Sequence, residues 1–483
     1  MLAKSNQTYP GVSFQSILVT LLLISYIGSA CKKSVQIDPP VNMITTSQVF
    51  STDAQANSAM AGIYSMMANS NNLNVGDGAI TMFTGMSSDE LLPFLTSTFD
   101  QYIQFQTNTL LPSSSRLYNN YWVPAYSYIY NANAVIEGLT SSTSVHDSVK
   151  TELIGEAKFI RSFFYFYLTS LFGDIPLATS TNWAKTNLLS RTPSDQVYQF
   201  ILSDLQDALP LLSADFSKGG GERIFPTKWA VYSLLARTSL YMEHWQDAED
   251  YATKVIENEA LFSLPLDLDQ VFLMNSSEAI WQLKQNNNYY PYNATLEGFN
   301  MLPFDASTPP LAYLTPQLLA AFDTVDQRRI KWINSTNYNG VDYYYPYKYK
   351  VGPSLTAAGD PYTEYYMVLR LGELYLIRAE ARAQQGNDLQ GAAADLNAIR
   401  NRAGLLGTDA TSKDQLLAAI AHERQIELFA EWGHRWLDLK RTNQASIVLA
   451  PVKPQWNNHA LLYPIPIQEI MTDPNLTQNP GYN

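Results

Sequence analysis

Between Thr151 and Phe172 the sequence is nearly apolar on all sides, with Ala157, Ile160, Phe164, Leu168 and Leu171 at three-and-four spacing. A helix without a polar face is unstable at a surface, so the rest of the chain must surround it. Gly173 accepts the left-handed conformation that ends a helix, and Pro176 prevents its resumption. Covering such a rod takes further helices, and the remaining periodicity supplies them.

Residues 47–68 and Tyr118–Leu139 are amphipathic at helical spacing, and Ser194 opens another helix through Leu209. Trp229–Glu257 reads as a helix hairpin of tetratricopeptide type, setting Tyr232, Leu235 and Ala236 against Ala248, Tyr251, Ala252 and Val255. Glu373–Arg400 repeats the layout around a Gly386-Asn387-Asp388 turn, and Tyr118–Phe172 makes a third pair. The period is imperfect, which predicts stacked helix pairs and not a regular solenoid. Leu261–Tyr366 is rich in Pro, Asn and Tyr and poor in helical periodicity, so loops and short strands are expected there, with Tyr343–Tyr349 alternating like a strand hairpin. Residues 69–115 have the same irregular character. The fold class is therefore mainly α, a tetratricopeptide-like helix-pair scaffold with long irregular loops and a few short strands. Binding groups belong on such excursions, held by a rigid frame.

Upstream of this body, Lys4 precedes an apolar run, Ile17–Ile27, that ends in Gly28, Ser29 and Ala30 and is followed by Cys31. The run is too short to span a hydrocarbon core and fits a secretory signal peptide over residues 1–30. Cys31 is the only cysteine, which excludes an intrachain disulfide, and its position resembles a bacterial lipobox. Acyl chains on Cys31 would hold the mature body at a membrane, with residues 31–46 as lipidated Cys and extended tether. The 44 acidic against 31 basic residues give a net charge of −13, which repels phosphate backbones and argues against nucleic acid as a partner.

Four blocks carry a resemblance. The first runs from Glu156-Ala157-Lys158-Phe159-Ile160-Arg161 to Phe172-Gly173-Asp174-Ile175-Pro176-Leu177. The second joins Leu371-Gly372-Glu373-Leu374-Tyr375-Leu376 to Leu396-Asn397-Ala398-Ile399-Arg400-Asn401-Arg402. The third joins Glu423-Arg424-Gln425-Ile426-Glu427-Leu428 to Gly433-His434-Arg435-Trp436-Leu437-Asp438. The fourth closes the chain with Tyr463-Pro464-Ile465-Pro466 and Asn479-Pro480-Gly481-Tyr482. In their order and spacing, spanning the mature chain, they resemble the SusD/RagB family of Bacteroidetes nutrient-binding lipoproteins. The resemblance implies a single SusD-like α domain over residues 47–483, its N-terminal part about 47–260 and its C-terminal part about 261–483. It further implies a lipid-anchored, outward-facing place on the outer membrane and a SusC-like TonB-dependent transporter as partner. The expected activity is binding of an oligosaccharide ligand and its delivery to that transporter, with no enzymatic step.

Pyranose rings stack their C–H faces on aromatic rings while amides and carboxylates read their hydroxyls, so loops that mix both are candidate sites. Trp281–Asn293, read as one loop, offers Asn287, Tyr289, Tyr290 and Tyr292; the Asn-rich region offers Asn71, Asn72 and Asp77 with Phe94, Phe99 and Tyr102. Two other classes compete. Glu423 and Glu427 could serve a secreted glycosidase, since paired carboxylates perform glycoside hydrolysis; against it, Arg378, Arg400, Arg402, Arg424 and Arg435 lie in the same blocks and favour ion pairs that fix helix packing. A helical scaffold binding proteins or peptides is the other. The five histidines contain no His-x-x-x-His pair, no Gly-x-Ser-x-Gly elbow is present, and no metal or cofactor is expected; a structural Ca²⁺ would fall on loop carboxylates such as Asp267 and Asp269.

Overall fold

The computed structural model describes residues 49–69, 73–94 and 100–482. The signal peptide, Cys31 and the tether lie outside the described residues, as do Asn71, Asn72 and Phe99. Helix α1 (Asp53–Ala68) starts behind Thr52, whose Oγ1 accepts the Gln55 N–H, satisfying one of the donors left open at a helix start. Helix α2 (Asp100–Thr107) follows, and a π-helical turn at Leu117–Trp122 leads into α3 (Val123–Ser141). The apolar stretch becomes α4 (Asp147–Phe172), in which every residue from Phe159 to Phe172 is buried. Gly173 ends it at φ +75°, its N–H donating to the Thr169 carbonyl. Each large side chain that α4 removes from water contributes roughly 1.5–3 kcal/mol of transfer free energy, which makes this helix the centre of the core.

Around it the chain stacks α5 (Ser194–Ala208), the pair α6 (Lys228–Tyr241) and α7 (Trp245–Ile256), and the pair α8 (Leu371–Gln385) and α9 (Leu389–Arg402). Packing is sequential: α3 on α4, α4 on α5, α5 on α6, α6 on α7, α7 on α8, α8 on α9. Helix α10 (Lys413–Glu427) leans on both α8 and α9 and begins with a capping box between Ser412 and Gln415. Helix α11 (His434–Arg441) turns back toward the N-terminal core. The three predicted helix pairs are all present, and the chain from Val49 onward forms one compact unit.

Among the described residues, eight short strands make four antiparallel pairs: β1 (Leu91–Pro93) with β5 (Ala312–Leu314), β2 (Ile175–Pro176) with β3 (Arg191–Thr192), β4 (Ala279–Leu283) with β8 (Tyr366–Arg370), and β6 (Ile333–Tyr338) with β7 (Val341–Pro346). Two expectations need correction. Trp281–Leu283 is no loop: all of β4 is buried, and the Trp281 ring meets Phe159 and Phe163 edge-on at 5.0 and 5.5 Å. The strand hairpin spans 333–346 and not 343–349, because Asn339 (φ +52°) and Gly340 (φ +81°) form its two-residue turn.

Candidate functional site

Loops from the irregular segments converge on a groove of about 500 Å³ lined by Phe94, Tyr290, Phe299, Phe304, Tyr338 and Asn300, with Pro309, Pro310 and Pro353 at its edges. Each ring is placed by a separate local device. Phe94 continues β1, and its N–H donates to the Leu311 carbonyl at 2.9 Å, so the β1–β5 pair sets its position. Tyr338 is the last residue of β6, and its ring stands edge-on to Phe94 at 5.6 Å, while Tyr343 of β7 meets the same ring at 5.3 Å. Phe299 sits on the single helical turn Leu296–Met301, capped by the Thr295 hydroxyl, and packs edge-on to Tyr290 at 4.9 Å.

Tyr290 tops a turn that side chains hold closed. The Asn288 N–H donates to Asn286 Oδ1 at 3.0 Å, the Asn287 N–H donates to the Tyr362 hydroxyl at 2.8 Å, and Asn287 Nδ2 donates to the Asp360 carbonyl. These bonds fix the backbone and leave rings outward: Tyr289 and Tyr290 are 64% and 57% exposed, and Phe304, beyond the Leu296–Met301 turn, is 59% exposed. Flat apolar faces held open to water beside hydroxyls and the Asn300 amide can stack a ring that carries hydroxyls at its edge. Rigid placement lowers the ordering cost of capture.

Of the residues singled out in the sequence, the structure therefore brings Phe94 and Tyr290 together. Tyr292, at φ +57°, packs edge-on to Tyr290 at 5.7 Å, Tyr289 lies on the same turn, and Asn287 serves as its brace. Asp77 and Tyr102 are corrected. Asp77 is fully buried and accepts the Asn74 N–H at 2.7 Å, shaping its own turn. Tyr102 is core, its ring 5.2 Å from Phe83 with the Arg116 guanidinium 5.1 Å away. Phe299, Phe304, Tyr338 and Asn300 were not legible as site residues, because aromatics scattered between positions 299 and 338 show no local pattern.

Glu423 and Glu427 do not line this groove. Both are fully buried: Arg328 Nη1 lies 2.6 Å from Glu423 and 2.9 Å from Glu427, Arg370 Nη1 lies 2.6 Å from Glu427, and Arg402 bonds Glu427 and Glu278. Burial pushes the Glu427 carboxyl up, but Arg402, Arg370 and Arg328 together hold it well below the usual carboxylate range. It is a fixed anion inside the frame, out of reach of a glycosidic bond. Asp269 is likewise engaged, by Lys331 and Lys350, and Asp267 accepts the Asp269 N–H. A second cleft of about 470 Å³ runs beside Trp122, Tyr126 and Tyr130. There Trp122 is buried and donates to Glu469, so most of its ring is already covered.

Residues 324–482 match the SusD family, and residues 96–240 match the SusD-like family described as starch-binding and associating with the outer membrane. The chain belongs to the SusD/RagB family. Its SusD-like relatives include proteins P2 and P25 of Formosa agariphila, 26% and 24% identical over 96% and 98% of this chain and 99% of each of them. Among solved structures, a SusD superfamily protein of Bacteroides vulgatus is similar with a TM-score of 0.76 and 20% identity, over 89% of this chain and 99% of that one. A laminarin-binding SusD-like protein is similar with a TM-score of 0.72 and 24% identity, over 89% and 99%. The mainly α, tetratricopeptide-like fold is that of the SusD superfamily, and the family description places its members with the outer membrane.

Proposed function

We propose that the mature protein, a single domain over residues 47–483 anchored through Cys31 and facing outward from the outer membrane, captures an oligosaccharide and delivers it to a SusC-like TonB-dependent transporter without altering it. The observation that carries this reading is the groove itself: exposed Tyr290 and Phe304 with Phe94, Phe299 and Tyr338, held rigid beside Asn300 on loops of the helical frame. That a protein of the same fold is laminarin-binding supports a glycan as the ligand class. Glu423 and Glu427 are ion-paired inside the frame, which disfavours the glycosidase alternative.

Calorimetric titration with a panel of plant, algal and fungal oligosaccharides tests the reading. At least one glycan should bind, and Tyr290→Ala or Phe304→Ala should weaken it about tenfold, the loss of one stacking face. Silence across the panel, or full affinity in both variants, would remove the groove as the glycan site. Co-purification from membranes with a β-barrel transporter tests delivery separately.

A further inference from the structure

The cleft of about 470 Å³ beside Trp122 joins one face of α3 to the C-terminal helical turn Ile467–Thr472. Trp122, Tyr126 and Tyr130 follow one another at four-residue spacing, so their rings form a ladder along one wall. The Tyr126 hydroxyl donates to the Pro176 carbonyl at 2.9 Å, which fixes its ring, and Tyr130, one turn on, is 55% exposed. The other wall carries Glu469 and Asp473, also four residues apart, and the Trp122 indole N–H joins the two walls by donating to Glu469.

The charge of this second wall is not balanced. Among the described residues no Lys, Arg or His lines the cleft, and neither carboxylate forms an ion pair. Asp473 is 8% exposed; its Oδ1 accepts the Asn475 N–H at 2.9 Å, while its Oδ2 has no partner among the described residues and is not shut away from solvent. Burial pushes the Glu469 carboxyl up, the Trp122 N–H opposes that, and the charge of Asp473 adds to it. A cation seated beside both groups relieves burial and repulsion together. A hard metal ion would take about six to eight oxygens, and no group of three or more metal-ligating side chains gathers among the described residues. Aromatic faces beside carboxylates suit an organic ammonium, which gains cation–π attraction and charge-assisted hydrogen bonds at once. Asn131 and Asn187 add amides to the lining, groups that read hydroxyls.

We infer that this cleft binds an amino sugar with a free, protonated amine, its ammonium held by Glu469 and Asp473 and its ring against Tyr130. The unbalanced carboxylates select the ammonium, and the ring ladder with its amides selects a sugar body over a metal ion. The site lies on other elements than the aromatic groove and does not rest on the reading given to that groove.

Calorimetric titration of the mature protein with the β-1,4-linked dimers of glucosamine, N-acetylglucosamine and glucose tests the inference, since the three differ only at C2, as amine, acetamide and hydroxyl. At about pH 6, where the amine is protonated, the glucosamine dimer should bind at least about tenfold more tightly than either of the others, the worth of one charge-assisted bond. The preference should shrink as salt is added. Asp473→Asn keeps the acceptor for the Asn475 N–H and should abolish the preference for the amine. Tyr130→Ala removes an exposed ring, spares the core, and should weaken the glucosamine dimer about tenfold; it decides the matter should the Asp473 variant not fold. The inference is overturned if the three dimers bind alike, if Asp473→Asn keeps the preference, if Tyr130→Ala binds as the parent does, or if the glucosamine dimer shows no binding up to about 10 mM. Tighter binding of the tripeptide Ala-Lys-Ala at the same cleft would reassign it to lysine side chains and overturn the amino sugar.

Discussion

Glu90 shows how a single buried carboxyl can act against the fold that holds it. It is 2% exposed, and its Oε1 has no hydrogen-bond partner among the described residues. Burial, then the charge of Asp89, pushes it up to about 8, although Arg435 and Lys348 oppose the shift. The unfolded chain releases this proton near the ordinary value of 4.5, and the folded chain keeps it until about pH 8. Across that window the native state holds more protons than the unfolded one, so stability falls as pH rises and levels off above it. Glu90→Gln, nearly isosteric and never charged, should remove this slope and stabilise the protein by roughly 4 kcal/mol at pH 8. Urea titrations of both proteins at pH 5 and pH 8 check this; an unchanged difference between the two pH values would refute it. Alternation of Glu and Arg along α10 made ion pairing legible at Glu423 and Glu427, but not their partners. Arg328 comes from the irregular segment and Arg370 from the end of β8, 99 and 57 residues from Glu427, where no local spacing connects them.

At the level of elements, the helices were readable because a 3.6-residue period survives in any amphipathic helix, and the all-apolar α4 announced its own burial. The strands were not. β4 holds five residues, buried throughout and followed by an Asn-rich turn, so neither alternation nor length distinguishes it from loop. One strand signal was present and local: Asn339-Gly340 between Tyr338 and Val341 is the dipeptide that a two-residue hairpin with positive φ demands. That hairpin carries Tyr338 and Tyr343 to Phe94, which gives the turn a functional consequence. A Cβ at Gly340 meets nothing within 4 Å, so Gly340→Val would act through its φ of +81° alone. A β-branched residue in that region costs on the order of 1–2 kcal/mol. The expected outcome is glycan affinity reduced severalfold, with the melting temperature almost unchanged because the hairpin lies outside the helical stack. A large fall in melting temperature with intact affinity would show that the hairpin supports the frame and not the groove.

The whole molecule joins its two family-matched regions into one core. Arg237 of α6 donates through Nε and Nη2 to Glu373 of α8 at 2.7 and 2.6 Å, with both groups buried. Phe163 of α4 packs against Trp281 at 5.5 Å and Trp432 at 5.4 Å. The end of the chain returns to the same helix: the Tyr463 N–H donates to the Leu171 carbonyl at 2.8 Å, and Asn479 Nδ2 donates to the Phe172 carbonyl at 2.9 Å. The four blocks recognisable in the sequence are the pieces that meet here, which is why they could be read from end to end while the groove on the irregular segments could not. Residues 47–260 expressed alone would expose the α4 and α7 faces that the C-terminal part covers. They would also leave Arg237 without its carboxylate, a loss of about 3–5 kcal/mol for a buried pair. We expect this fragment to keep helical far-ultraviolet circular dichroism but lose near-ultraviolet aromatic signal and bind a hydrophobic dye, the behaviour of a chain with helices and no fixed packing. Native-like near-ultraviolet spectra and a cooperative melt from the fragment would instead mean two separable domains.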